Sequence, residues 1–118
     1  MPSRTTAEYL RDVIDNIEAA RGFVAGVSFE RFCEDRLRHY AVLRALEIIS
    51  EASRQLEPDV VARHPEIPWR SIADAGNIYR HVYHQINLKV IWRTVTEHLE
   101  PLRAMAEQEL TSISRRLG

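Results

Sequence analysis

Between Gly76 and His84 the sequence reads GNIYRHVYH, which places Arg80, His81, Tyr83 and His84 within five positions. Histidine is the side chain best suited to take up and return a proton near neutral pH. Arginine carries a fixed fork of donors that matches a phosphate, or the extra negative charge of a phosphorane-like transition state. Together these are the minimal parts for metal-independent cleavage of RNA, in which the ribose 2′-hydroxyl loses its proton and attacks its own phosphate. No carboxylate cluster of the kind that holds magnesium accompanies them. On a helix, Asn77, His81 and His84 or Gln85 share a face, while Arg80 faces Gly76 and His84. Tyr83 follows His81 by two residues, about 200° round an ideal helix. These two can serve one site only where the helix loosens or where two chains contribute. The same residue types near a helix end also bond backbone carbonyls and complement the helix dipole. Spacing alone leaves both roles open.

The elements that must carry this stretch are helical. Pro68 suits the first position of a helix, because its missing amide donor would be unpaired there anyway. That helix runs through Ile72, Ala75, Ile78 or Tyr79 and Val82 toward Ile86. Before it, HPEIP at residues 64–68 halts regular structure with two prolines. Thr5 or Thr6 caps a first helix whose Tyr9, Leu10, Val13, Ile14 and Ile17 recur at three- and four-residue steps, ending near Gly22 to Gly26. Ser28 caps a short helix from Phe29 to about Asp35. A long stripe through Tyr40, Leu43, Ala45 or Leu46, Ile48 or Ile49, Ala52 and Leu56 marks a helix from about Leu37 toward Pro58, with one more turn over Pro58 to Arg63. Arg44, Glu47 and Glu51 on that helix read as a solvent-facing charged set. Asn87 caps a last helix along Leu88, Ile91 or Trp92, Val95, Leu99, Leu102, Met105, Ala106 and Leu110. Pro101 bends or breaks it near Leu99. The tail from residue 111 to 118 is expected to fray.

The sum is an all-α fold, an antiparallel bundle of four to five helices, in a single domain over residues 1–118 with its core at about 5–110. A chain of 118 residues with 45% hydrophobic and 28% charged content buries one core and not two. The stripes carry more apolar residues than one small bundle needs, which suits a dimer as well as a well-filled core.

A formal charge of −1 argues against coating nucleic acid by bulk charge, but the charge is uneven. Residues 63–93 hold 5 Lys and Arg against 2 Asp and Glu, whereas residues 1–62 hold 8 against 11. The local excess suits a phosphodiester backbone, and equally a solvated helix face. The single cysteine, Cys33, excludes an internal disulfide and reads as a small buried apolar residue. No metal site or cofactor is expected. The N-terminus lacks the apolar stretch of a signal peptide, and no run approaches the roughly 18 apolar residues of a membrane span. A reducing cytoplasmic setting and no membrane association are expected. Trp69 and Trp92 are expected to brace the motif helix through core packing. His39, His64 and His98 are expected at the surface or as caps.

Three blocks in order also resemble a known family. YLRDVIDNIEAA, SFERFCEDRLRHYAVLRALEIISEAS and HPEIPWRSIADAGNIYRHVYHQINLKVIW are similar to the HepT-like proteins of the HEPN (higher eukaryotes and prokaryotes nucleotide-binding) group, from about Tyr9 to Leu110. The pair Glu51-Ala52, the Pro-Trp-Arg at 68–70 and Trp92 carry the likeness. The resemblance implies a helical homodimer whose motif helices meet in a cleft. It further implies an RNase toxin, with tRNA among its candidate substrates, paired with a nucleotidyltransferase antitoxin of the MntA type. The family motif is an arginine, four to six residues, a histidine, any residue and a tyrosine. His81 and Tyr83 match, and Tyr83 is then the position where the partner attaches AMP. The arginine does not match: in register it falls on Gly76, followed by a retained polar residue, Asn77. The resemblance therefore leaves two expectations. In one, His81 is the general base or acid, Arg80 binds the scissile phosphate, Asn77 orients it and Tyr83 donates a hydrogen bond or carries AMP. In the other, the chain is a catalytically inert dimer that binds a nucleotidyltransferase or RNA.

Overall fold

The computed structural model describes residues 5–81 and 87–117, with the side chains of residues 76–81 outside that description. Seven α-helices lie in this span: α1 (Thr6–Val24), α2 (Phe29–Glu34), α3 (Arg36–Arg54), α4 (Pro58–Arg63), α5 (Trp69–His81), α6 (Leu88–Arg93) and α7 (Glu100–Leu117). Residues Thr94–His98 make a wider, π-type turn that joins α6 to α7. The long helices α1, α3, α5 and α7 form the expected antiparallel all-α bundle, and the described residues contain no strand.

Local chemistry sets the boundaries. The Thr5 hydroxyl accepts from the Glu8 amide at 3.2 Å and starts α1. After α1, Gly26 takes φ +72°, a left-handed conformation that a residue with a Cβ adopts at a cost, and the chain turns there. Ser28 Oγ accepts from the Arg31 amide to start α2, and Asp35 Oδ1 from the Arg38 amide to start α3. Asn87 Oδ1 accepts from the Lys89 amide at the head of α6.

Helix α1 buries Leu10, Val13, Ile17, Ala20 and Val24, one stripe at three- and four-residue steps, against α3 and α7. Helix α3 buries a broader arc that includes Val42, Leu43, Ala45, Leu46 and Ile49, because it packs between α1 on one side and α5 on the other. Phe32 of α2 is fully buried, with its ring 5.4 Å from Trp92 and 4.9 Å from His39. His39 is therefore interior, contrary to a surface role. Its Nε2 donates to the Phe32 carbonyl at 2.6 Å, so the capping half of the expectation holds. Trp92 packs on Phe29 and Phe32, so its core packing serves α2.

The last helical run breaks where Pro101 requires it. Leu99 stands between the π-type turn and α7, and Pro101 occupies the first turn of α7, where its absent N–H leaves no bond unmade. The tail corrects the expectation of fraying: α7 continues through Leu117, with Ile113 packed against the core. The Arg115 and Arg116 charges in its last turn favour the negative end of the helix dipole. No helix among the described residues is long and apolar enough to cross a membrane.

Candidate functional site

The motif sits at the end of α5, so the site begins with what holds that helix. Pro68 is the residue before the first helical one, a step earlier than expected: its carbonyl accepts from the Ile72 amide at 3.1 Å. The Trp69 indole Nε1 donates to the His64 carbonyl at 2.9 Å, and its ring packs against the core. Four residues on, Ser50 Oγ of α3 donates to the Ala73 carbonyl at 3.1 Å. That hydroxyl reaches across the interface to a carbonyl of the motif helix itself. Ile72 packs on the core between these two polar attachments.

Near Trp69 lies a polar cluster in which Glu109 and His64 are buried and Arg63 is half exposed. Glu109 of α7 is only 4% exposed, and Arg63 meets its carboxylate with two donors, Nη2 to Oε1 at 2.7 Å and Nε to Oε2 at 3.1 Å. His64, also buried, lies with Nε2 2.6 Å from the same Oε2. The Arg63 hydrogen bonds, and after them the one from His64, hold the Glu109 carboxyl down at about 2, although burial pushes the other way. An ionised carboxylate only accepts, so His64 Nε2 carries the hydrogen. His64 Nδ1 lies 3.5 Å from Glu66. His64 is thus buried rather than at the surface, and it is a cap: its amide donates to the Val61 carbonyl at the end of α4 while its ring meets the buried Glu109 carboxylate. A signal is present in the sequence: Glu109 continues the three- and four-residue step of Leu102, Met105 and Ala106, and a charge on a buried stripe demands a partner.

Gly76, Asn77, Arg80 and His81 occupy the last turns of α5. On this helical backbone Asn77 and His81 lie four residues apart, within about 40° of one another round the axis, and Arg80 lies about 100° before His81. The common face expected for Asn77 and His81 therefore stands at the level of the backbone. Tyr83, His84 and Gln85 fall in residues 82–86, outside the described residues. Glu51, an acid that could draw Arg80 away from a cleft, is engaged by Arg54 on the same helix α3. Arg44 pairs with Glu47, the solvent-facing arrangement expected of that set.

A cavity of about 340 Å³ runs beside α5, where Pro68, Ile72 and Ala75 are among its lining residues. Ile49, Ile72 and Leu102 line it with apolar surface, and Glu66, Glu97 and His98 contribute its charged or titratable groups. Among the described residues its lining contains no Lys or Arg.

The profile of the family described as "Ribonuclease HepT-like" matches residues 13–109. The chain belongs to this family. It is 38% identical over 105 residues to a protein of Thermococcus cleftensis named "Probable ribonuclease HepT", covering 89% of this chain and 96% of that one. It is 31% identical over 107 residues to a "Putative RNase" of Caldanaerobacter subterraneus, covering 91% and 96% of the two chains. A "Putative RNase" of Methanocaldococcus jannaschii is 30% identical over 107 residues, with 91% and 98% covered. No solved structure matches the chain. The HepT-like match spans α3, α5 and the connecting turn, so the residues that carried the resemblance, Glu51-Ala52, Pro-Trp-Arg and Trp92, all fall within it. In this HepT-like chain the Trp of Pro-Trp-Arg has a visible structural role, because its indole hangs the start of the motif helix on the His64 peptide.

Proposed function

We propose that this HepT-like protein is a metal-independent endoribonuclease, the toxin of a toxin-antitoxin pair, acting as a homodimer whose motif helices meet in a cleft. The observation that carries the reading is the family match over residues 13–109 together with the His81-Val82-Tyr83 sequence, whose His81 ends α5, a helix tied to α3 and to the turn before it. His81 takes the proton from a ribose 2′-hydroxyl. The freed oxygen bonds to the adjacent phosphorus, the bond from phosphorus to the 5′-oxygen breaks, and that leaving oxygen takes up a proton. Arg80 neutralises the charge that builds on the phosphoryl oxygens, and Asn77 orients the phosphate. Tyr83 donates a hydrogen bond in the free enzyme. A nucleotidyltransferase antitoxin silences the site by joining AMP from ATP to the Tyr83 oxygen, with pyrophosphate leaving. The added bulk and negative charge in the cleft then oppose RNA.

One feature of the sequence favours a second reading. Gly76 stands where the family motif has arginine, and glycine offers no side chain to an anion. If no other residue replaces it, the protein is an inert dimer that docks a nucleotidyltransferase or RNA. Incubation of the unmodified protein with total tRNA in EDTA, beside His81→Ala and Gly76→Arg, separates the readings. The active reading predicts cleavage by wild type that disappears in His81→Ala. Intact RNA with wild type, and cleavage only with Gly76→Arg, identifies a site disabled by the glycine.

A further inference from the structure

The Arg63, His64 and Glu109 cluster lies at the far end of α5 from the motif, yet it connects through the His64 carbonyl to Trp69, the first residue of that helix. Glu109 Oε1 and Oε2 are both occupied, by Arg63 Nη2, by Arg63 Nε and by His64 Nε2. Arg63 is the last residue of α4, and His64 opens the turn into α5. The His64 carbonyl then receives the Trp69 indole N–H. A continuous path of four residues thus runs from the middle of α7 to the first residue of the motif helix.

Stability alone does not require this arrangement. The rest of the buried stripe of α7 is Leu102, Met105 and Ala106, and an apolar residue at 109 would continue the packing without the cost of burying a charge. What an apolar contact lacks is direction, whereas a carboxylate bridging a planar guanidinium and an imidazole fixes the angles of both. We propose that Glu109 is a positioning residue for the motif helix: by holding Arg63 and His64 together it sets the peptide that anchors Trp69, and so the direction in which α5 carries His81. This rests on the RNase reading only for its effect on cleavage.

The lever is long enough to matter. Ser50 grips α5 at the Ala73 carbonyl, so loss of the Trp69 anchor leaves a pivot there. From Ala73 to His81 the helix rises about 12 Å, and a tilt of about 10° moves its end by about 2 Å. A misplacement of about 1 Å in a reacting group can cost on the order of 100-fold in rate.

Glu109→Gln keeps the shape of the side chain but turns its amide nitrogen toward one of three donors. Hydrogen exchange of α5, read by mass spectrometry, is compared among wild type, Glu109→Gln and Val13→Ala, a core control in α1, at a temperature where all are folded. Glu109→Gln is expected to speed exchange in α5 at least tenfold while α1 and α3 are unchanged, an effect Val13→Ala does not reproduce. On RNA, it is expected to lower kcat at least tenfold with KM within about twofold of wild type. Should Glu109→Gln not fold, Trp69→Phe, which removes the indole donor alone, is expected to give the same α5-specific exchange. Unchanged exchange in α5, or an equal rise in α1 and α3, overturns the proposal. Wild type that leaves RNA intact refutes the RNase reading, and the exchange pattern still decides the positioning role.

Discussion

The two sides of α3 are built differently. Toward α1 the interface is mainly Leu, Val, Ile and Ala, with a polar contact from Arg38 Nη1 to the Phe23 carbonyl, and Phe32 of α2 is held by Trp92 and His39. Toward α5 the packing of Ile72 and Trp69 is supplemented by directional contacts: Ser50 to the Ala73 carbonyl, Trp69 to the His64 carbonyl, and Arg63 and His64 to Glu109. Apolar packing sets how firmly the bundle holds together, because its free energy follows area and not angle. Polar contacts set where a helix points. The molecule places two of the second kind, from Ser50 and from Trp69, at the start of the helix that carries the candidate chemistry.

The sharpest way to break this contrast is at the apolar side. Phe32→Ala removes a fully buried ring and is expected to cost about 3–5 kcal/mol, measured by urea unfolding at neutral pH. On the polar side the loss should depend on pH. The folded Glu109 carboxyl lies at about 2 against an ordinary 4.5, so its contribution is complete above about pH 4.5 and disappears as pH falls through that interval toward 2. The shift corresponds to about 3 kcal/mol. Unfolding curves between pH 6 and 3 should therefore show a decline in wild type that Glu109→Gln flattens. Ser28→Ala removes the cap of α2, the helix that carries Phe32, and is expected to cost about 1 kcal/mol in the same assay. Arg44→Ala breaks an exposed pair with Glu47 and is expected to change stability by less than about 0.5 kcal/mol. A loss at Arg44 as large as that at Glu109 would remove the distinction between surface and interior charge.

The apolar side is legible in the sequence. The steps of Leu10, Val13 and Ile17, the caps at Thr5, Ser28 and Asn87, and the break ahead of Pro101 are local signals, each decided within a turn or two of helix. The polar junction is harder to read because its partners are distant along the chain: Arg63 and His64 meet Glu109 across some 45 positions. A histidine beside a proline suggests a turn at the surface, and only the charge at 109 on an apolar stripe hints otherwise. The end of α7 departs from expectation for a related reason. TSISRRLG has weak helical propensity, but Ile113 packs on the core and tertiary contact outweighs propensity. Of the candidate site, the placement of Gly76, Asn77, Arg80 and His81 on the end of one helix follows from periodicity, whereas the attachments at Ser50 and Trp69 need the fold.

The most direct measurement is the single-turnover rate of cleavage of one defined tRNA in EDTA, by wild type and by His81→Ala at equal folded concentration. A proton-transferring His81 predicts measurable cleavage by wild type and a loss of at least about 100-fold in the variant. Equal rates in the two proteins, or no cleavage by unmodified wild type, would contradict it.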